Sequence, residues 1–272
     1  MIASMDLSDT YKRVILSNVS AIFGAAVDDD LIAKNPCKAG SVSRPKLVRR
    51  KVVPWPADHV SGMHDALPER YQLAATLGSG LGLRQGEIFG LSPDDIDFLR
   101  GTVEIRRQVK ILAGNRLVFA LPKGRKTRTI PLPSTVSAEL SAHLARFRAV
   151  PVELPWRTLD SGETVRVPLV LTTRERRPLN RNYFNSCLWR RAQHEVGIEQ
   201  TRDNGMHALR HWYASVLLDA GESIRAVSEY LGHSDPGFTL RTYTHLMPSS
   251  DERTRLAIDS ALARHHQDCA TA

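Results

Sequence analysis

The chain has 272 residues, 42% hydrophobic and 24% charged, which suits one large domain or a large one with a small one. Its formal charge of +8 favours a polyanionic partner, nucleic acid before a membrane surface. An apolar run of about 18 residues is absent, the opening MIASMDLSDTYKR has no apolar signal core, and three scattered cysteines (Cys37, Cys187, Cys269) suit reduced thiols, so the expected setting is cytoplasmic, without a membrane span, disulfide frame or zinc knuckle.

In chain order, residues 8–34 predict a helix, with Val14, Ile15, Val19, Ile22, Phe23 and Ala26 at helical spacing. Asn35-Pro36 is expected to end it, because a residue before proline avoids the α region. KAGSVSRPKLVRRKVVP, residues 38–54, is basic without amphipathic period and reads as a linker lying on a phosphate backbone. Arg49, Arg50 and Lys51 are its candidate DNA contacts, giving affinity without sequence choice.

Helices are predicted over 57–66 and 69–77, then a glycine-punctuated turn, GSGLGLRQGE, enters a short helix ending near Leu91. SPDDID reads as a turn capped by Ser92 rather than a two-metal carboxylate set. β-rich runs at 102–109, 116–120 and 127–132 predict a small antiparallel sheet. A helix over 135–148, a loop over 150–167 and a short strand at 169–171 follow. Further helices are expected at 180–196, 206–220, 223–231 and 239–245, with a tail helix from 251 to 264. Trp212, Val216 and Leu217 read as the core stripe of the 206–220 helix.

The chemistry-bearing residues come in a fixed order. Arg84 follows the glycine-rich turn, Lys123 sits at a turn in PKGRKTRTIPLP, and HALRH places His207 and Arg210 on one helical face. LGH brings His233, and ten residues later stands Tyr243. This set is no metal site: Ala208 stands where a zinc-protease helix would need glutamate after His207. It suits attack on a phosphodiester. Two guanidiniums can hold non-bridging oxygens and offset the charge of a pentacoordinate transition state. A phenol of pKa ~10 is only about 0.1% ionised at neutral pH, so it needs a base or nearby cations. Histidine can accept that proton, and a lysine beside arginines can protonate the departing oxygen. A phosphotyrosyl link conserves the ester energy, so rejoining needs neither nucleotide nor metal, and no cofactor is expected.

GLGLRQGEIFGLSPDDIDF, LPKGRKTRTIPLP, LNRNYFNSCLWRRAQHEVGI and MHALRHWYASVLLDAGESIRAVSEYLGHSDPGFTLRTYTHL together resemble the tyrosine recombinases, most closely the phage-type integrases, from about Pro54 to Met247. Each motif is weak alone; all of them in order are specific. The resemblance implies a mainly α catalytic domain with a small antiparallel sheet. It implies that Arg84 and Arg210 hold the phosphate, Glu87 supports Arg84, Lys123 protonates the leaving oxygen (with Lys126 as its alternate), His233 bonds a non-bridging oxygen and Tyr243 is the nucleophile. His207 is the candidate base towards Tyr243, while His211 and His245 read as structural. The implied activity is site-specific cleavage and rejoining of DNA through a 3′-phosphotyrosyl intermediate, in a homotetramer on double-stranded DNA, with accessory or directionality proteins as further partners. A type IB topoisomerase-like relaxing enzyme, or a DNA-binding remnant that does not recombine, is the alternative. The expected organisation is a partial helical core-binding domain (1–43), a linker (44–54), the catalytic domain (55–247) and a tail (248–272) that could exchange between subunits. Family members usually carry a longer N-terminal region, and the segment before the linker reads as its last one or two helices.

Overall fold

The computed structural model describes residues 6–45, 51–124, 126–160, 162–233 and 235–246, with Arg255 and Asp259. The chain divides into two compact units, Met1–Lys51 and Val52–Ala272. Arg49, Arg50 and nearly all of the expected tail helix lie outside the described residues.

In the first unit, helix α1 (Asp9–Asp28) starts where the Ser8 hydroxyl accepts the Tyr11 N–H at 3.3 Å. It stops six residues short of the expected end. Asp28-Asp29-Asp30 crowds negative charge at the negative end of the helix, and Asp30 turns to φ 56°. Asn35 organises the return: its side chain accepts from Cys37 N at 2.9 Å and donates to Ser20 O at 2.8 Å.

The second unit is organised around α3 (Glu69–Leu81), which buries Tyr71, Leu73, Ala74, Ala75, Leu77 and Leu81. Helix α2 (Ala57–Ala66) precedes it and α4 (Gln85–Phe89) follows. The segment expected as one strand over 102–109 breaks at Arg106-Arg107. Arg107 turns inward to grip Asp95 with both terminal nitrogens, at 2.6 and 3.0 Å. One expected sheet is therefore two: β1 (Ile96–Asp97), β2 (Thr102–Ile105) and β5 (Arg128–Pro131) form an antiparallel trio, and β3 (Gln108–Ile111) pairs with β4 (Leu117–Ala120). Ser92 caps the turn before β1, accepting from Asp94 N at 3.3 Å.

After α5 (Ser134–Arg146) the expected loop is instead a hairpin, β6 (Val150–Pro155) with β7 (Thr164–Leu169), in register from Val150↔Leu169 to Pro155↔Thr164. Val150, Val152, Val167 and Leu169 face inward with period two. Pro151, Pro155 and Pro168 disguise that period in the sequence, because proline argues against a strand. Helix α6 (Arg181–Tyr183), a π-helical turn (Phe184–Trp189) and α7 (Arg190–Val196) run on without interruption.

Helices α8 (His207–Asp219), α9 (Ile224–Leu231) and α10 (Pro236–Tyr243) close the unit. The buried face of α8 is Leu209, Arg210, Tyr213, Ala214 and Leu218, not the stripe of Trp212, Val216 and Leu217. Val216 is exposed and the other two are only half-buried. Packing against α3 rotates the helix this way. Gly82, which ends α3 at φ 61°, lies flat against the Tyr213 ring, and a Cβ there would collide with it. Gly82→Ala adds a left-handed backbone penalty to that collision, so the urea midpoint should fall by an equivalent of ~2–3 kcal/mol.

Candidate active site

Arg210 is a deeply buried charge held by main-chain carbonyls. Its side chain, 1% exposed, leaves α8 and reaches the ends of two other helices. Nη1 donates to Gly82 O at 2.6 Å, just past α3, and Nη2 donates to Leu231 O, the last residue of α9. Both carbonyls lie at negative helix ends, and both helices stop at left-handed glycines, Gly82 and Gly232. Among the described residues Arg210 has no carboxylate partner, and its buried Nε has no hydrogen-bond partner at all. Burial first, and then Arg84, push its pKa down to about 9, so it remains a cation at neutral pH.

Arg84 meets it at the same helix end. Its Nη2 donates to Gly232 O at 3.1 Å, and Nη1 donates to Glu87 Oε1 at 2.9 Å. Glu87, 1% exposed, also accepts the Arg84 backbone N–H at 3.0 Å. A further arginine completes the group. Arg128 on β5 grips both Glu87 oxygens, at 3.0 and 2.7 Å, and donates from Nε to Tyr230 O at 2.7 Å. Burial alone would raise the Glu87 pKa; the hydrogen bond and charge of Arg128, with Arg84, hold it at about 2. The carbonyls of Tyr230, Leu231 and Gly232 thus receive Arg128, Arg210 and Arg84 in succession.

His233 follows directly. The Thr239 hydroxyl, fully buried, meets its Nδ1 at 2.7 Å, and its ring stands edge-on to Phe238. Desolvation, then Arg210 and Arg84, hold its pKa at about 3, so the ring is neutral. His207 opens α8 and shows one edge to solvent. Its pKa lies below the ordinary value through desolvation within the cluster and the facing His211, Arg210, Arg84 and Lys123. Lys123 lies in the β4–β5 connection and lines a hollow of about 370 Å³ with Lys126, Arg128, Arg225 and His233. Lys123 is among the charges that lower the His207 pKa.

Tyr243 ends α10 and is 1% exposed. Its hydroxyl meets His211 Nδ1 at 2.6 Å, with ring centroids 5.6 Å apart. The histidine in contact with the phenol is thus His211, not the expected His207. His207 and His211 lie one turn apart with rings edge-to-face at 4.7 Å, and the inner one takes the contact. Burial pushes the phenol pKa up to about 12 against the pull of Arg210. Burial and Arg210 hold His211 at about 4, opposed by Asp203. His245, further on, pairs its Nε2 with Val52 O at 2.7 Å.

The fold therefore brings Arg84, Glu87, Lys123, His207, Arg210, His233 and Tyr243 together. It leaves Lys51 exposed in the first unit. Among the described residues no group of three or more His, Cys, Asp or Glu side chains is placed to hold a metal ion. Sequence reasoning missed Arg128, Thr239 and the placement of His211. The first had a signal, a basic residue on a strand beside Lys123; the second had none beyond a hydroxyl six residues past His233.

A profile of the phage integrase family matches residues 57–250. The chain belongs to that family. A tyrosine recombinase XerC-like protein of Caldanaerobacter subterraneus subsp. tengcongensis is 28% identical over 244 residues, 85% of this chain and 61% of that protein. Tyrosine recombinase XerC of Mycobacterium bovis is 34% identical over 184 residues, 67% of this chain and 51% of that protein. The chain thus spans between half and two thirds of the length of these relatives. The Tn1549 transposon integrase, solved with a circular intermediate DNA, superposes with a TM-score of 0.73 at 19% identity, over 94% of this chain and 80% of that one, and shares the integrase fold.

The Arg128–Glu87 pair yields a test of what holds the site. Arg128→Met leaves a buried carboxylate with Arg84 alone and should cost ~3–5 kcal/mol at pH 7, read from urea midpoints. The Glu87 pKa is depressed in the fold, so its contribution is complete above about 4.5 and is lost as pH falls towards about 2. The gap between parent and variant should therefore narrow across that window.

Proposed function

We propose that this chain cleaves and rejoins DNA at specific sites as an integrase-type tyrosine recombinase, without metal or nucleotide. In this reading Tyr243 Oη attacks a DNA phosphorus to give a 3′-phosphotyrosyl link and a free 5′-hydroxyl. Arg210, whose charge is held by carbonyls and whose buried Nε is unpartnered, binds the non-bridging oxygens with Arg84. Neutral His233, oriented by Thr239, donates to one of those oxygens, and Lys123 protonates the departing 5′ oxygen. The single observation that carries the reading is the convergence of Arg84 and Arg210 on the end of α9 beside His233, with Tyr243 bonded to His211 one turn along the Arg210 helix, in a chain of the phage integrase family.

Strand exchange between two duplexes needs four such sites, so the acting form is a DNA-bound homotetramer, with accessory proteins setting direction. Residues 1–43 serve as part of a core-binding domain, 44–54 as a basic linker on the DNA backbone, 55–247 as the catalytic domain and 248–272 as a segment exchanged between subunits. The net charge and the DNA complex of the Tn1549 integrase support a double-stranded DNA partner and a DNA-associated location. Among the described residues no helix is long and apolar enough to cross a membrane.

The test is selection of denaturant-resistant protein–DNA adducts from a pool of randomised duplexes, each carrying a nick that traps the cleaved strand. The parent should recover a defined sequence; Tyr243→Phe should recover none; Arg84→Ala and Arg210→Ala should each slow adduct formation by ~10²-fold or more. An adduct that survives Tyr243→Phe would refute the nucleophile. Junctions between two recovered duplexes separate recombination from simple relaxation.

A further inference from the structure

His211 stands outside the set that the sequence motifs assign, yet it holds the one side-chain contact of the phenol oxygen among the described residues. The contact has a direction. Tyr243 is buried, and a phenol that only accepted from His211 would leave its own proton unpaired, at a cost of ~1–3 kcal/mol. The O–H therefore donates, and Nδ1 is the acceptor, with the imidazole proton on Nε2. The two histidines of α8 share Arg210 as a neighbour but differ in the rest. His207 also feels Arg84 and Lys123; His211 feels Asp203 and alone of the two is bonded to Tyr243 on α10. Edge-to-face stacking fixes both rings.

We propose that His211, not His207, is the general base for the nucleophile, receiving the phenolic proton on Nδ1 as Tyr243 Oη bonds to phosphorus. The inference rests on the strand-transfer reading above. The Oη–H bond breaks as the Oη–P bond forms, and the P–O5′ bond breaks as the 5′ oxygen takes the Lys123 proton. His211 becomes an imidazolium beside the ester and returns its proton to Oη when the strand is rejoined. Burial that keeps His211 neutral at rest keeps it able to accept at neutral pH.

Two measurements test it. His211→Asn keeps an oxygen near the Nδ1 position, so it preserves a hydrogen bond to Tyr243 while removing the base; His211→Phe removes both. On a nicked duplex recovered by the selection above, single-turnover adduct formation by His211→Asn should fall by ~10²-fold or more and rise with hydroxide concentration. The loss should persist on the same duplex with a 5′-bridging sulfur, whose thiolate leaves without a proton, whereas a Lys123→Ala defect should be repaired there. Near-parental rates for His211→Asn on both duplexes would overturn the proposal, as would restoration of the Asn variant by sulfur. The second measurement needs no DNA. In ¹⁵N spectra of the free protein, Nδ1 of His211 should be unprotonated and should move when Tyr243 becomes Phe. A protonated Nδ1 at neutral pH overturns the assignment even if adducts form, and a pool that gives no adducts refutes the strand-transfer reading while the spectrum still decides the hydrogen bond.

Discussion

Three consecutive main-chain carbonyls at the end of α9 hold the centre of this protein together. Tyr230, Leu231 and Gly232 present oxygens that the helix itself leaves unpaired, and each takes a different arginine. A buried guanidinium needs partners, but a carboxylate on each would cancel its charge. Carbonyls satisfy the N–H groups and leave the charge intact. Among the described residues Arg84 and Arg128 share Glu87 and Arg210 has no carboxylate, so three cations and one anion leave a surplus of two positive charges. Everything else in the site is arranged around that surplus.

The surplus explains the state of the titratable groups. His211 and His233 are partly buried and His207 is solvent-exposed, yet beside the guanidiniums all three imidazoles are held below their ordinary range. The same burial keeps the proton on Tyr243 despite Arg210. The resting site is thus cationic with a protonated phenol. Arg128 plays its part at one remove: it fixes Glu87 and the end of α9, and through them Arg84 and the start of the His233 turn.

The sequence disclosed the helical scaffold well because α2, α3, α5, α8 and α9 carry their own apolar period, and α9 its Ser223 cap as well. It disclosed the members of the site through motif order. What it hid were relations fixed by packing. Nothing local says that α8 turns Tyr213 and not Trp212 towards the core; the flat face of Gly82 decides it. Nothing in HALRH says which histidine meets a residue more than thirty positions away, since both lie on one face. The β6–β7 hairpin was concealed by prolines, and the break between β2 and β3 by an arginine that reads as a strand residue until Asp95 is beside it.

Because the arginine anchors are peptide oxygens, they are written in chain length and not in side-chain identity. A codon exchanged within α9 leaves those oxygens where they are, but a codon lost between Ser223 and Gly232 swings everything beyond it by about 100° around the helix axis. All three guanidiniums would lose their seats in a single event. The anchors therefore constrain the length of this helix directly, while its side chains are constrained separately, by the burial of Val227, Ser228 and Leu231 and the left-handed turn at Gly232.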